Sequence, residues 1–266
     1  HGARYYDDPL EEMLRLAKSK KVSLIVAPAI KTAMDGKWRH VLKWLKDQGI
    51  NEIYDASFGA DICTYLHLEY VKQNPNAKII SQPCAAIVNY AEKHKPELLP
   101  KLSPVHSPLL CTAVYVKKYL GNHDTLIGLT PCIAKGDEFA NTGYISLNVT
   151  FRRLMEYIEE HHVVLGKGHS PFEFSKARGF DGAFYPIPGG LKECLKVFAP
   201  DLSVTTSETA LPRPPITLCS STVTIFPVSF AAFMIISLSI GFIVWILITL
   251  AFIPSFASSS AATIAS

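Results

Sequence analysis

No Lys, Arg, Asp or Glu follows Arg213, and all 26 basic and 23 acidic residues lie at or before it. Charge sufficient for a water-facing surface is thus confined to the first part of the chain, and an apolar tail follows it. The chain also lacks a Cys-x-x-Cys pair, which excludes a zinc ribbon and a thioredoxin-like dithiol. It lacks Gly-x-Gly-x-x-Gly and the P-loop pattern, which argues against a dinucleotide site and an NTPase. There is no basic excess: the net charge is +3, too small for a strongly basic nucleic-acid binder, so no nucleic-acid partner is expected. With 48% hydrophobic residues the chain is neither disordered nor collagen-like. Its six cysteines are widely scattered and no signal peptide precedes them, so a secreted disulfide framework is excluded and reduced thiols in the cytoplasm are expected. The first residue is His1 rather than Met, the mark of a processed chain or of a piece of a longer one.

What is there begins with a helix-prone stretch at residues 1–20, where Asp7-Asp8-Pro9 can start a helix and Leu10, Met13, Leu14 and Leu16-Ala17 form one stripe. The run Val22–Ala27 is continuous, apolar and rich in β-branched residues, as in a strand covered on both faces. Helical and extended patterns then alternate. Val41, Leu42, Leu45 and Ile50 are helical in spacing, 52–55 is extended, 60–73 helical, 77–81 extended, 84–94 and 108–120 helical, 125–129 extended and 148–160 helical. Strands separated by helix-length segments predict an α/β fold, mainly parallel sheet flanked by helices. Beyond His161 glycines punctuate an irregular region, with one further helix at 190–198.

The Pro212–Pro215 stretch stops any helix, and 230–253 then supplies 24 uncharged, mostly apolar residues. As a helix these would extend roughly 36 Å, against about 30 Å of bilayer hydrocarbon. Two readings stand side by side: a C-terminal transmembrane helix that leaves the folded domain in the cytosol, or a frameshift product unrelated to the domain.

Two predicted strands end alike. Ile79–Ala86 (IISQPCAA) and Ile127–Ala134 (IGLTPCIA) each run from a strand into Pro-Cys and then a helix or turn. Ligands of open α/β sheets bind at the carboxyl ends of strands, and a cysteine at a helix entrance has its thiolate stabilised by free backbone N–H groups and the helix dipole. Cys84 and Cys132 are therefore candidate thiolates for an iron–sulfur cluster. The alternative is that both are small buried side chains, as free cysteines often are. Lys135, three residues beyond Cys132, is a candidate donor to a bound anion, whereas Glu138 reads as a solvated helix start. His106 and His123 read as loop residues. Asn148-Val149-Thr150 matches a glycosylation sequon without meaning in a cytosolic chain.

The segments Ser81–Pro108 (SQPCAAIVNYAEKHKPELLPKLSPVHSP) and Thr130–Glu138 (TPCIAKGDE) resemble the first two active-site motifs of the iron-only, or [FeFe], hydrogenase large subunit. The likeness runs from about Lys20 to Phe198 and includes Val26-Ala27-Pro28 and Phe58-Gly59-Ala60-Asp61. Residues 1–8 resemble the segment after the last cysteine of a 2[4Fe-4S] ferredoxin domain. The resemblance implies two interlocked α/β lobes at 21–207, here incomplete, after a ferredoxin-like end and linker at 1–20 and before a tail at 208–266. It implies a [4Fe-4S] cluster joined to a diiron subsite, with Cys84 and Cys132 as ligands and Lys135 beside the diiron unit. It also implies a ferredoxin-like domain or electron carrier as partner and H2 and protons as substrates. The chain departs from the pattern at Pro83, where active enzymes carry a proton-relaying cysteine, and at Thr130, where methionine is common. Leu66 and His67 stand where acidic residues are expected, with only Glu69 nearby, and the Cys-x-x-x-Cys of the third motif is absent. The proline form resembles a divergent sensory subgroup, implying redox or hydrogen sensing with little turnover. The runners-up are a membrane-tethered, non-catalytic iron–sulfur module and a metal-free α/β interaction domain.

Overall fold

The computed structural model describes residues 6–206 and 223–226, apart from positions 82, 83, 177 and 188. The candidate span 230–253 and Pro83 lie outside these residues. Among the described residues no helix is long and apolar enough to cross a membrane.

Helix α1 (Leu10–Ser19) buries Leu10, Met13, Leu14 and Ala17, the expected stripe apart from Leu16, which packs at its margin. Strand β1 (Val22–Val26) follows, then the short α2 (Ile30–Ala33), α3 (Trp38–Asp47) and β2 (Glu52–Asp55). Asp55 both ends β2 and caps α4 (Ala56–Gln73), accepting from the Ser57 N–H at 2.9 Å, so strand and helix meet with no intervening loop. Next come β3 (Ile79–Ser81), α5 (Ala85–His94), a 3-10 turn at Pro96–Lys101 and α6 (Pro108–Lys118), which begins with Ser107 as cap and Pro108 in the first turn. The chain continues through β4 (Thr125–Thr130), α7 (Lys135–Thr142), β5 (Leu147–Thr150), α8 (Phe151–Glu160), a 3-10 turn at Asp181–Phe184, α9 (Gly190–Phe198), β6 (Ser203–Thr206) and β7 (Val223–Phe226).

Four strands form a parallel sheet in the order β2-β1-β4-β5. All of β1 is buried, and successive side chains serve opposite faces: Val22, Leu24 and Val26 join the core with α1, α3 and α8, while Ile25 joins the core with α6 and α7. Helices thus flank the sheet as the strand–helix alternation predicts. Strand β3 is not in it. It pairs antiparallel with β7, which pairs antiparallel with β6, in a second sheet. This sheet adjoins a separate core of Ala60, Cys63, Leu68, Val71, Ile79, Leu191 and Leu195. Strand β7 belongs to the uncharged tail. Strand β5 also differs from expectation: 147–150 is a strand rather than the first turn of a helix, and Thr150 caps α8 through the Arg153 N–H at 3.2 Å.

Two glycines permit close packing around the site. A Cβ on Gly59 would lie 2.1 Å from the Pro108 carbonyl oxygen and from Thr112 Oγ1, so α4 and α6 cross with backbone against backbone. A Cβ on Gly128 would lie 2.5 Å from Phe139 Cε2, which is how the fully buried Phe139 seats α7 on the sheet.

Candidate metal centre

Cys84 is the N-cap residue of α5, with extended backbone (φ −106°, ψ 110°). Cys132 stands between β4 and α7. Although β3 and β4 lie in different sheets, the helices that follow them are joined, Asn89 Nδ2 of α5 donating to Asp137 Oδ2 of α7 at 2.7 Å. Cys84 is near enough to raise the Cys132 thiol electrostatically. Both sulfur-bearing residues are half-buried.

Burial pushes the Cys132 thiol above its ordinary value, and the neighbouring Cys84 adds to this, against the Ala134 and Lys135 N–H groups and the Lys135 charge. The helix-entrance donors expected from the sequence are thus in place, but desolvation outweighs them. A thiol raised in this way is protonated at neutral pH, and a metal would bind it only with release of that proton.

Lys135 Nζ donates to Glu138 Oε2 at 2.6 Å, and the two side chains are only 10% and 14% exposed. Glu138 is therefore a buried partner of the predicted site lysine, not a solvated residue. Its charge reaches His106, whose imidazole burial holds below the usual histidine range. His106 is accordingly a half-buried neighbour of the site, and its carbonyl accepts from both Cys63 (3.3 Å) and Cys111 (3.4 Å).

Cys63 and Cys111 belong with His67 and Tyr185 in the second core. Cys63 Sγ is 3.1 Å from the Tyr185 hydroxyl and 3.7 Å from His67 Nδ1. Burial alone would raise the Cys63 thiol, but hydrogen bonding from Cys111 and the His67 charge draw it down, and Cys111 rises in return. Cys194 instead donates to the Asp181 carbonyl at 3.1 Å. No local sequence pattern marks this group, since its members come from α4, α6 and the 3-10 turn near residue 185.

A cubane cluster takes four protein thiolates. Among the described residues no three His, Cys, Asp or Glu side chains converge as a ligand set. Cys84 and Cys132 fit half of that requirement and the remaining described cysteines do not complete it.

The model of the iron only hydrogenase large subunit, C-terminal domain, matches residues 20–210. A probable cytosolic Fe-S cluster assembly factor, oxy-4 of Caenorhabditis elegans, is 30% identical over 95 residues, which are 35% of this chain and 20% of that protein. Among solved structures, a variant of [FeFe]-hydrogenase HydA1 from Chlamydomonas reinhardtii superposes with a TM-score of 0.56 at 20% identity, covering 76% of this chain and 62% of the other. A structure of [FeFe]-hydrogenase in oxygen inactivation gives the same TM-score and identity over 78% and 60%. The chain therefore spans less than two thirds of the length of these relatives and shares their fold. The alternating α/β core, the paired Pro-Cys turns and the match across 20–210 together place this chain in the family of C-terminal domains of iron-only hydrogenase large subunits.

Proposed function

We propose that this chain is an iron–sulfur redox protein of sensory or regulatory type, with Cys84 and Cys132 as the ligands it contributes to a [4Fe-4S] centre. The remaining ligands come from outside the described residues. The observation that carries this reading is that Cys84 and Cys132, at the entrances of two helices joined by Asn89 and Asp137, lie near enough to interact electrostatically, with the Lys135–Glu138 pair following Cys132. Soft thiolates in a polar, half-enclosed pocket are the donor set for iron–sulfur clusters. A diiron subsite beside Lys135 is part of the same proposal, as are an electron partner of the ferredoxin type and a cytoplasmic location. Loss of the proton-relaying cysteine at Pro83 leaves hydrogen turnover slow or absent.

The test is anaerobic reconstitution of the full chain with ferrous iron and sulfide. Visible charge-transfer absorbance and a low-temperature paramagnetic signal on reduction are expected. Both disappear in Cys84→Ser and Cys132→Ser and persist in Cys194→Ser. Absorbance unaffected by either serine variant overturns the ligand assignment, and hydrogen uptake by the cofactor-matured protein at the rate of a standard enzyme overturns the sensory one.

The second reading is a non-catalytic module tethered to the membrane through 230–253, favoured by that segment's length and lack of charge. It predicts carbonate-resistant membrane fractionation that is lost on deletion of residues after Ser207.

A further inference from the structure

Two anchors hold the segment before α1 along β5, the edge strand of the parallel sheet, and a third joins α1 to α8. The Tyr6 hydroxyl donates to the Asn148 carbonyl oxygen, Asp8 Oδ2 accepts from the Thr150 N–H at 2.9 Å, and Glu11 pairs with Arg153. The first leads to the candidate site. The Asn148 side chain is almost fully buried, and its amide donates to Tyr6 Oη at 3.2 Å and to the Cys132 carbonyl at 2.9 Å. Its Oδ1 accepts from Thr130 Oγ1 at 2.7 Å, and Thr130 Oγ1 in turn accepts from the Cys132 N–H at 3.3 Å. Both backbone polar groups of Cys132 are thus held by one two-residue clasp. The Tyr6 ring also reaches Gly136 in the first turn of α7, where an added Cβ would touch it at 3.9 Å.

Buried amides seldom leave donors or acceptors unused, and here the donors of Asn148 go to the N-terminal segment and to the cysteine turn at once. We propose that Tyr6 and Asn148 are positioning residues that couple the segment preceding this domain to the Cys132 turn. When Tyr6 is seated, the clasp is complete and the turn is closed. When the preceding segment is pulled away, Asn148 loses a partner, its amide is free to turn, and the Cys132 backbone loosens. Anything that moves the chain at Tyr6 would thereby be felt at Cys132. The inference gains its purpose from the reading of Cys132 as a cluster ligand, but its test needs no iron.

The test uses the full chain, without metal, treated with iodoacetamide at neutral pH, and follows alkylation of Cys132 and Cys84 by peptide mass spectrometry. Loss of one buried hydrogen bond corresponds to about tenfold in a local opening equilibrium. Asn148→Ala is therefore expected to speed Cys132 labelling roughly tenfold and Tyr6→Phe several-fold, with Cys84 changed less than about twofold. Thr130→Val should act as Asn148→Ala does, and Thr130→Ser should restore the parent rate. If Asn148→Ala fails to fold, Tyr6→Phe, which alters one half-buried hydroxyl, carries the test. In the reconstituted protein the same variants shift the reduction potential. The coupling is overturned if Cys132 labelling is unchanged, if Cys84 and Cys132 speed up together, or if Tyr6→Phe is silent where Asn148→Ala acts. Absence of a cluster alongside a selective rise at Cys132 would overturn the iron–sulfur reading and leave the coupling standing.

Discussion

Lys135 Nζ and Glu138 Oε2 lie 2.6 Å apart within the first turn of α7, three residues past Cys132, with little water around either. Removing one member of a mostly buried ion pair leaves the other desolvated without its counter-charge. Glu138→Ala is expected to cost about 2 kcal/mol, more than the exposed pair Lys43–Asp47, where the cost stays below about 1 kcal/mol. Replacing both partners, with Lys135→Met and Glu138→Leu together, should cost less than Glu138→Ala alone. Urea unfolding of Glu138→Ala, of the double variant and of Asp47→Ala decides it, and equal costs at the two pairs would show that burial adds nothing to the Lys135–Glu138 pair.

Gly128 faces Phe139 so closely that a methyl group cannot be added without displacing the ring. Gly128→Ala is therefore expected to destabilise the fold by about 1–3 kcal/mol, the range for overpacking a close-packed core. Phe139→Leu should relieve most of that loss in the double variant. A silent Gly128→Ala in thermal unfolding would mean that α7 is not held by this contact.

Asp124 accepts from Ser23 Oγ at 2.6 Å and from Asn51 Nδ2 at 2.7 Å, at the amino end of the parallel strands. Burial alone would raise its carboxyl, but these hydrogen bonds and the charge of Lys21 hold it below the ordinary aspartate value. A carboxylate lowered by folding stabilises the protein fully above its unfolded value, near about 4, and that stabilisation is lost as pH falls through the lower folded value. Asp124→Asn should therefore lower stability at pH 6 to 8 by a constant amount and flatten the acid limb, so that variant and parent converge as pH falls below about 4. An acid limb identical to the parent's would show that Asp124 is not its source.

Asp61, part of the Phe-Gly-Ala-Asp stretch, fastens the glycine-rich region, accepting from the Phe180 N–H at 2.8 Å and the Gly182 N–H at 2.6 Å. Asp61→Ala leaves two backbone donors without partners and should open residues 179–184 to limited proteolysis. Cleavage there is expected to rise several-fold while cleavage elsewhere is unchanged, since the anchors at Phe180 and Gly182 are local. Uniform sensitivity along the chain would point instead to global destabilisation.

The strand–helix alternation, the stripe of α1, the fully apolar β1 and the repeated Pro-Cys turns all lie in contiguous residues. Each is a periodicity or a short motif, so the sequence alone determined the α/β class, the main parallel strands and Cys84, Cys132 and Lys135 as candidates. Strand β5 escaped because four residues before a long amphipathic helix carry too little period of their own. The membership of β3 in a separate antiparallel sheet was set by partners on β7, more than a hundred residues away in the chain. Glu138 looked solvated because its burial depends on what folds over it, and Asn148 looked like a sequon because its amide finds Cys132 at a separation of 16 residues and Tyr6 at 142. Hydrogen bonding and desolvation are properties of neighbours in space. Only the tertiary structure could therefore decide that Cys84 lies near enough to act on Cys132, that burial raises the Cys132 thiol, and that the N-terminal segment reaches the turn that carries it.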